Sequence, residues 1–414
     1  MQFNSNHTLT NKPLQGLRGH GAEPHIVIIA AICVFSTQFG VTVIAPLLGE
    51  WVIAPKIPHP FLVSGLIISA FALVSLALNI PGGILSDKFG RKPLIVTGLL
   101  LYAVAAFLFP FSKSPYDWIF VRALQGAGAG FFFPAVTALL ADITSHEERG
   151  HALSVYNMGL GVGLAVGPIS GGILFHIYGI FMPFFFCAAF VLLSAVLMLL
   201  FVHEPKRKFG EKEQEKKEKR KRLSLGERER KVLMLCCAMV FFGKGVASMM
   251  SGLFSPFAVE DFNVSEEIIG TILSVMFVTF TLLQVGFNRL MKLTGEIVLS
   301  IVGLLLCACG LFVLYFATCI SELFIMSVFL GAGIGAILLG TLTLASKAAG
   351  EGQEGEVMGI YYTTFYASLG SIPIVCGALS DIFSARLLFL GYAVLLLILM
   401  AVAWRVKKNI EDNI

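Results

Sequence analysis

Residues 61–111 read FLVSGLIISAFALVSLALNIPGGILSDKFGRKPLIVTGLLLYAVAAFLFPF. Every ionised side chain in this stretch falls within Asp87–Lys92, between two apolar runs at 61–83 and 93–111. Runs of about twenty apolar residues span a bilayer as helices, because hydrocarbon offers backbone groups no hydrogen-bond partner. Gly90 suits a tight turn, and three cations against one Asp place the loop on the cytoplasmic side.

The same pattern continues outward. Further apolar spans are predicted at 25–48, 118–140, 151–177, 180–202, 232–257, 267–288, 297–317, 321–345, 356–379 and 384–405, making twelve. Charged residues are 14% of the 414 and hydrophobic ones 57%, with a mean hydropathy of +0.84. Soluble domains carry roughly 25% charged residues, so a soluble fold is excluded. The spans are too long and too uniformly apolar for a β-barrel. The first apolar run is full length, with no small-residue cleavage site, so it reads as an uncleaved start-transfer helix.

The charged segment 203–231 divides the chain six plus six. It holds 13 basic and seven acidic residues and reads as a solvated cytoplasmic linker, or as a strip drawn to anionic lipid. Its interleaved acids argue against nucleic acid. The expected organisation is a cytoplasmic tail (1–24), a six-helix bundle (25–202), the linker (203–231), a second bundle (232–405) and a tail (406–414). Without the linker, 12 Lys and Arg lie on the side of the termini and three (Lys56, Lys113, Arg386) on the other. Both termini are therefore predicted to be cytoplasmic.

The second half repeats the first at a shift of 205. Gly40 meets Gly245, Gly90 meets Gly295, Gly126 meets Gly331, Gly128 meets Gly333 and Gly150 meets Gly355. Tyr156 meets Tyr361, Pro168 meets Pro373, Gly172 meets Gly377 and Leu174 meets Leu379. The fold class is an all-α polytopic membrane protein, its twelve transmembrane helices arranged as two parallel six-helix pseudo-repeats. Such repeats place a binding site between the halves near the midplane.

The loop Gly83-Ile-Leu-Ser-Asp87-Lys88-Phe-Gly90-Arg91-Lys92 resembles the loop between helices two and three of the major facilitator superfamily. Arg122-Ala-Leu-Gln125-Gly126-Ala-Gly128-Ala-Gly130 is similar to that family's fourth-helix motif. Gly163-Leu-Ala-Val-Gly167-Pro168-Ile-Ser-Gly171-Gly172 resembles the fifth-helix motif of its twelve-helix drug–proton antiporter branch. Asp142 and Glu147-Glu148-Arg149-Gly150 resemble the intervening loop. These motifs lie in residues 83–172, and the second half is degenerate.

The resemblance implies that Asp87, with its Arg partner, latches the halves near the start of the eleventh span, around Gly355–Tyr361. The equivalent positions, Lys292 and Glu296, have swapped charges, so a strong latch is expected from the first half only. Gly159, Gly163, Gly167 and Gly171 recur every four residues. They read either as a close-packing stripe or, by the resemblance, as a bending seam with Pro168 at its kink.

No Asp or Glu lies deep in any span, and the two strong cations inside spans are Arg122 and Lys244. A charge in hydrocarbon is expensive and usually functional. Arg122, five residues into its span, either snorkels to the surface or acts inside the bundle, where the resemblance implies a proton relay. Lys244 lies near mid-membrane, beyond snorkelling reach. It reads as a lysine satisfied by carbonyls or neutralised by burial, or as a cation facing a central cavity. Gln38, Asn157, Gln284, Tyr361, Tyr362 and Tyr366 are weaker cavity candidates, each equally readable as helix–helix glue.

The eight cysteines fall in or beside apolar spans, without His or carboxylate at ligand spacing, so neither a metal site nor disulfides are expected. No P-loop is present, and the Gly-rich runs lack the strand–helix context of a dinucleotide site. No cofactor and no enzymatic activity are expected.

The implied function is secondary transport by alternating access, exporting small amphiphilic drugs or metabolites in exchange for protons. The chain is expected to act as a monomer in a bacterial or archaeal cell membrane. Many such antiporters place a carboxylate in helix one, where this chain has Gln38 and Thr42, its nearest acid being Glu50. Coupling could run through Asp142, Glu50, Asp87 or Lys244, or be absent. The missing acids favour neutral or anionic amphiphiles over dications. The alternatives are an uptake permease for a small organic anion and a non-transporting, transporter-like sensor or scaffold.

Overall fold

Helix ends are set locally. The fourth spanning helix begins with a capping box: Ser114 accepts from the first turn, and the Asp117 carboxylate accepts from the Ser114 and Lys113 N–H groups at 2.9 and 2.8 Å. Cys319 and Glu322 repeat this arrangement 205 residues later. Gly90 and Gly295 each adopt a positive φ, 111° and 87°, breaking one helix and starting the next with no intervening loop.

The computed structural model describes residues 24–204, 226–349 and 354–411. Its twelve candidate spans are α1 Pro24–Ile53, α2 Pro60–Phe89, α3 Arg91–Leu108, α4 Pro115–Ile143, α5 His146–Tyr178 and α6 Phe181–Phe201. The second six are α7 Glu227–Phe262, α8 Glu266–Thr294, α9 Glu296–Phe316, α10 Ile320–Ala348, α11 Glu354–Phe383 and α12 Ala385–Glu411. A 3₁₀ turn at Ala45–Leu47 interrupts α1. No strand occurs among the described residues. All of the expected tail (1–24) except Pro24, most of the linker, residues 350–353 and residues 412–414 lie outside them.

An even number of spans puts both ends of the bundle on one face, here named the terminal face; the opposite face is the distal face. One apolar core is drawn from α1–α6, around Trp118, Tyr102, Phe132 and Phe184, and a second mainly from α7–α12, around Phe254, Phe257 and Phe389.

The halves meet along two seams, α2 against α11 and α5 against α8. A Cβ on Gly65 would collide with the Pro373 carbonyl; 205 residues on, one on Gly270 would collide with the Pro168 carbonyl. Likewise Gly377 lies under the Phe61 carbonyl and Gly172 under that of Glu266. The repeat read from glycines is thus a pseudo-twofold axis between the halves.

Glycine contacts mark these seams from the distal ends to about the midpoints of the helices, as far as Gly370 against Leu73 and Gly161 against Thr281. The distal end of α1 joins the closure. Ser255 on α7 donates to the Pro46 carbonyl at 2.7 Å and accepts from the Gly49 N–H at 2.8 Å. Ser64 donates to the Gly252 carbonyl, and the Ile169 N–H donates to Ser274 at 2.9 Å. The distal face is therefore closed by packed backbone.

Candidate functional site

Lys244 sits halfway along α7, between Gly243, which packs on Ile337, and Gly245, which packs on Tyr392 and Ile372. Its ammonium lies 5.0 Å from the centroid of the Phe365 ring on α11. No carboxylate or hydrogen-bond acceptor pairs with it among the described residues. Phe365 continues into an aromatic row, 6.5 Å from Tyr362 and 5.4 Å from Tyr366. Tyr156 on α5 lies within electrostatic reach of both tyrosines, across the halves. A half-buried cation over an aromatic face and without an acceptor among the described residues can take an anion or an electron-rich ring.

Tyr362 is 47% exposed. Tyr361 points elsewhere: it is buried, with its hydroxyl 3.0 Å from that of Thr341 on α10. One residue turns a helix by about 100°, which carries the Tyr361 side chain to α10 while Tyr362 stays exposed. Gln38 is half-buried where α1 meets Gly163, Gln284 is half-buried on α8 and Asn157 is exposed on α5.

Arg122 is 1% exposed, so it does not snorkel. Its Nε donates to the Ile67 carbonyl at 3.3 Å and an NH group to the Gln125 side-chain oxygen at 2.7 Å. Its guanidinium lies 4.6 Å from the Phe71 centroid, and Gln125 reaches the Gly40 carbonyl at 3.5 Å. This polar knot ties α4 to α1 and α2 inside the first half.

At the terminal end of α2, Arg91 gathers three partners. It contacts Asp87 at 2.6 Å, Asp142 on α4 at 3.1 Å and the Ser86 hydroxyl at 2.9 Å. Lys92 donates to the Leu199 carbonyl at 2.8 Å. Lys88 lies over the Phe89 ring, 5.3 Å from its centroid. A Cβ on Gly83 would make only ordinary contact with Pro134 on α4. Asp87 pairs with Arg91 in its own half. Glu204, read only as linker, caps α3 by accepting from the Arg91 and Lys92 N–H groups at 2.6 and 2.8 Å. Nothing local in the sequence shows this, since the partners are more than a hundred positions apart.

The glycine stripe of α5 faces α1. Gly159 packs on the Ala31 carbonyl, Gly163 on Phe35, Gly167 on Thr42 and Phe39, and Gly171 on Val43. It is a seam within the first half, and Gly172, one position on, faces α8. Pro168 lies inside α5, where its carbonyl meets Gly270.

No cluster of three or more His, Cys, Asp or Glu suited to a metal occurs among the described residues, and their eight cysteines are free thiols.

The profile of the Major Facilitator Superfamily matches residues 30–256 and 233–412. The chain belongs to this superfamily. Multidrug resistance protein 1 of Bacillus subtilis is 29% identical over 84% of this chain and 89% of its own. The quinolone resistance protein NorA of Staphylococcus aureus is 26% identical over 77% and 81%. An uncharacterized MFS-type transporter of Methanocaldococcus jannaschii is 26% identical over 86% and 91%. Among solved structures, a bacterial homolog of the human lysosomal transporter Spinster, inward-facing and occupied, superposes with a TM-score of 0.77 at 16% identity, covering 94% of this chain and 98% of its own. A peptide transporter POT in complex with sulfate gives 0.75 at 15%, over 96% and 97%. These structures share the fold. The MFS chain is an integral, multi-pass membrane protein, and its family and fold are those of transporters.

Proposed function

We propose that this MFS protein is a monomeric secondary transporter that exports small neutral or anionic amphiphiles by alternating access, in exchange for protons and without enzymatic activity. The observation that carries the reading is Lys244, an ammonium at mid-bundle whose partner is an aromatic ring. An unpaired charge at that depth is costly, and an anionic group on a substrate would relieve the cost. The adjoining rings of Phe365, Tyr366, Tyr362 and Tyr156 suit an apolar or aromatic body. Export is supported by relatives whose names record multidrug and quinolone resistance.

The terminal face, with its excess of Lys and Arg, is the cytoplasmic one in this reading, in a bacterial or archaeal cell membrane. In that reading the closed distal face is the outer one, and substrate would reach Lys244 from the cytoplasm. Asp87, Arg91 and Asp142 form the terminal gate, and Arg122 with Gln125 serves as a relay or brace. Described carboxylates lie at the ends of the spans, so proton exchange would run through these end groups or through Lys244.

Inside-out proteoliposomes with an imposed pH gradient, screened with anionic, neutral and dicationic fluorescent amphiphiles, test the proposal. Accumulation of an anionic probe, lost in Lys244→Ala, is the expected result. Efflux of a dicationic dye that survives Lys244→Ala would sink the substrate assignment. Transport in right-side-out vesicles alone would make the protein an uptake permease.

A further inference from the structure

The first turn of α2 is capped from the other half of the molecule. His59, at the N-cap position, has a left-handed backbone (φ 56°) and makes no capping hydrogen bond, and Pro60 follows it. The next two N–H groups are satisfied from α11. The Phe61 N–H donates to Oδ1 of Asp381 at 3.1 Å, and the Leu62 N–H to Oδ2 at 2.9 Å. The Asp381 side chain is 5% exposed. His59 Nδ1 lies 4.0 Å from Oδ2. Gly377 and Pro373, one and two turns earlier on α11, lie against the Phe61 carbonyl and Gly65, so backbone packing carries the carboxylate to its place.

An ordinary N-cap precedes its own helix and moves with it, so it is indifferent to the motion of one half against the other. Here donors and acceptor are 319 and 320 positions apart, on two bodies meeting at a seam that closes the distal face. A carboxylate at a helix N-terminus gains both its hydrogen bonds and the attraction of the helix dipole. All of that is lost when the seam opens. The contact belongs to one seam only: the position equivalent to Asp381 on α5 is His176.

We propose that Asp381 is the distal latch of the transport cycle, holding α2 against α11 while the cavity faces the terminal side and releasing α2 when the distal face opens. The inference rests on the alternating-access reading above and adds a residue and a step to it.

Hydrogen exchange with mass spectrometry on the full chain in lipid nanodiscs tests the latch. In Asp381→Asn, which keeps size but not charge, amides 61–66 and 376–383 should exchange faster. Amides at the other ends of the same helices, 82–89 and 356–362, should exchange more slowly, reporting a shift of about three- to tenfold toward the distal-open state. Asp381→Glu, which keeps the charge, should lie closer to wild type.

An unchanged pattern would overturn the latch, as would a distal rise with no fall at the terminal ends, or Asp381→Glu behaving as Asp381→Asn. The last two outcomes would mark a stabilising cap. Wild-type efflux is measured in the same membranes. An active wild type with an unresponsive Asp381→Asn removes the latch alone, whereas a wild type that moves no solute removes the transport reading beneath it.

Discussion

Arg91 and Asp142 are joined at 3.1 Å across α2–α3 and α4, and the positions 205 residues later carry the same bond with its polarity reversed. Glu296 accepts from the Lys347 ammonium at 2.5 Å. The swap noticed at Glu296 thus has a matching swap in its partner. What the fold requires at this point is an ion pair joining the start of the third helix of each half to the end of the fourth. The two pairs differ in setting. Arg91 is 11% exposed and has three partners, whereas Lys347 is 64% exposed.

The first pair should therefore matter more. A double-mutant cycle on Arg91→Ala and Asp142→Ala, read by thermal unfolding in detergent, should give a coupling of about 1–2 kcal/mol. The cycle on Glu296→Gln and Lys347→Met should give about 0.5 kcal/mol or less. Equal couplings would contradict the burial argument.

Glu204 caps α3 from beyond the end of α6. Replacing it with Ala should cost about 1 kcal/mol and lower the melting temperature by a few degrees. Glu204→Gln, which keeps an acceptor, should lose less. No change in either variant would show that the two N–H groups find other acceptors.

Glycines on the seams and glycines within one half should fail differently. Gly65→Val and Gly270→Val place a side chain against the Pro373 and Pro168 carbonyls. They should prop the distal face open and cut transport more than about tenfold, with the protein still folded. Gly163→Val, set against Phe35 and Gln38 within the first half, should lower yield and melting temperature instead. Size-exclusion profiles alongside flux separate the two behaviours.

Lys244→Met removes the mid-bundle cation at similar volume. Transport of an anionic amphiphile should fall about ten- to a hundredfold, and that of a neutral one of the same shape by less than about threefold. Lys244→Arg should retain part of the anion flux. An equal loss for both substrates would make Lys244 a packing residue.

The eight cysteines being free thiols, a reductant should leave the melting temperature unchanged, within about a degree.

Much of this architecture was legible because it is written locally. Span number follows from runs of apolar residues, since a spanning backbone must satisfy its own hydrogen bonds. The repeat could be read in part because Gly172 and Gly377, one of its matched pairs, stand where backbones of opposite halves nearly touch. The starts of α4 and α10 are also set locally, by Ser114 with Asp117 and Cys319 with Glu322, a signal that the apolar runs at 118–140 and 321–345 did not use.

Tertiary structure alone decided the rest. The α5 stripe could have faced either half, and it faces α1. Tyr361 and Tyr362 looked alike in sequence, yet one is bonded to Thr341 and the other is exposed. Asp381 stood at the end of an apolar run without distinction until α2 was laid beside it. Each of these depends on partners far away in the chain, and hydrophobicity measures only transfer into the membrane. It says nothing of which helix a given face meets once there, because lipid tails and leucine are equally apolar and only packing shape and polar contacts choose between neighbours.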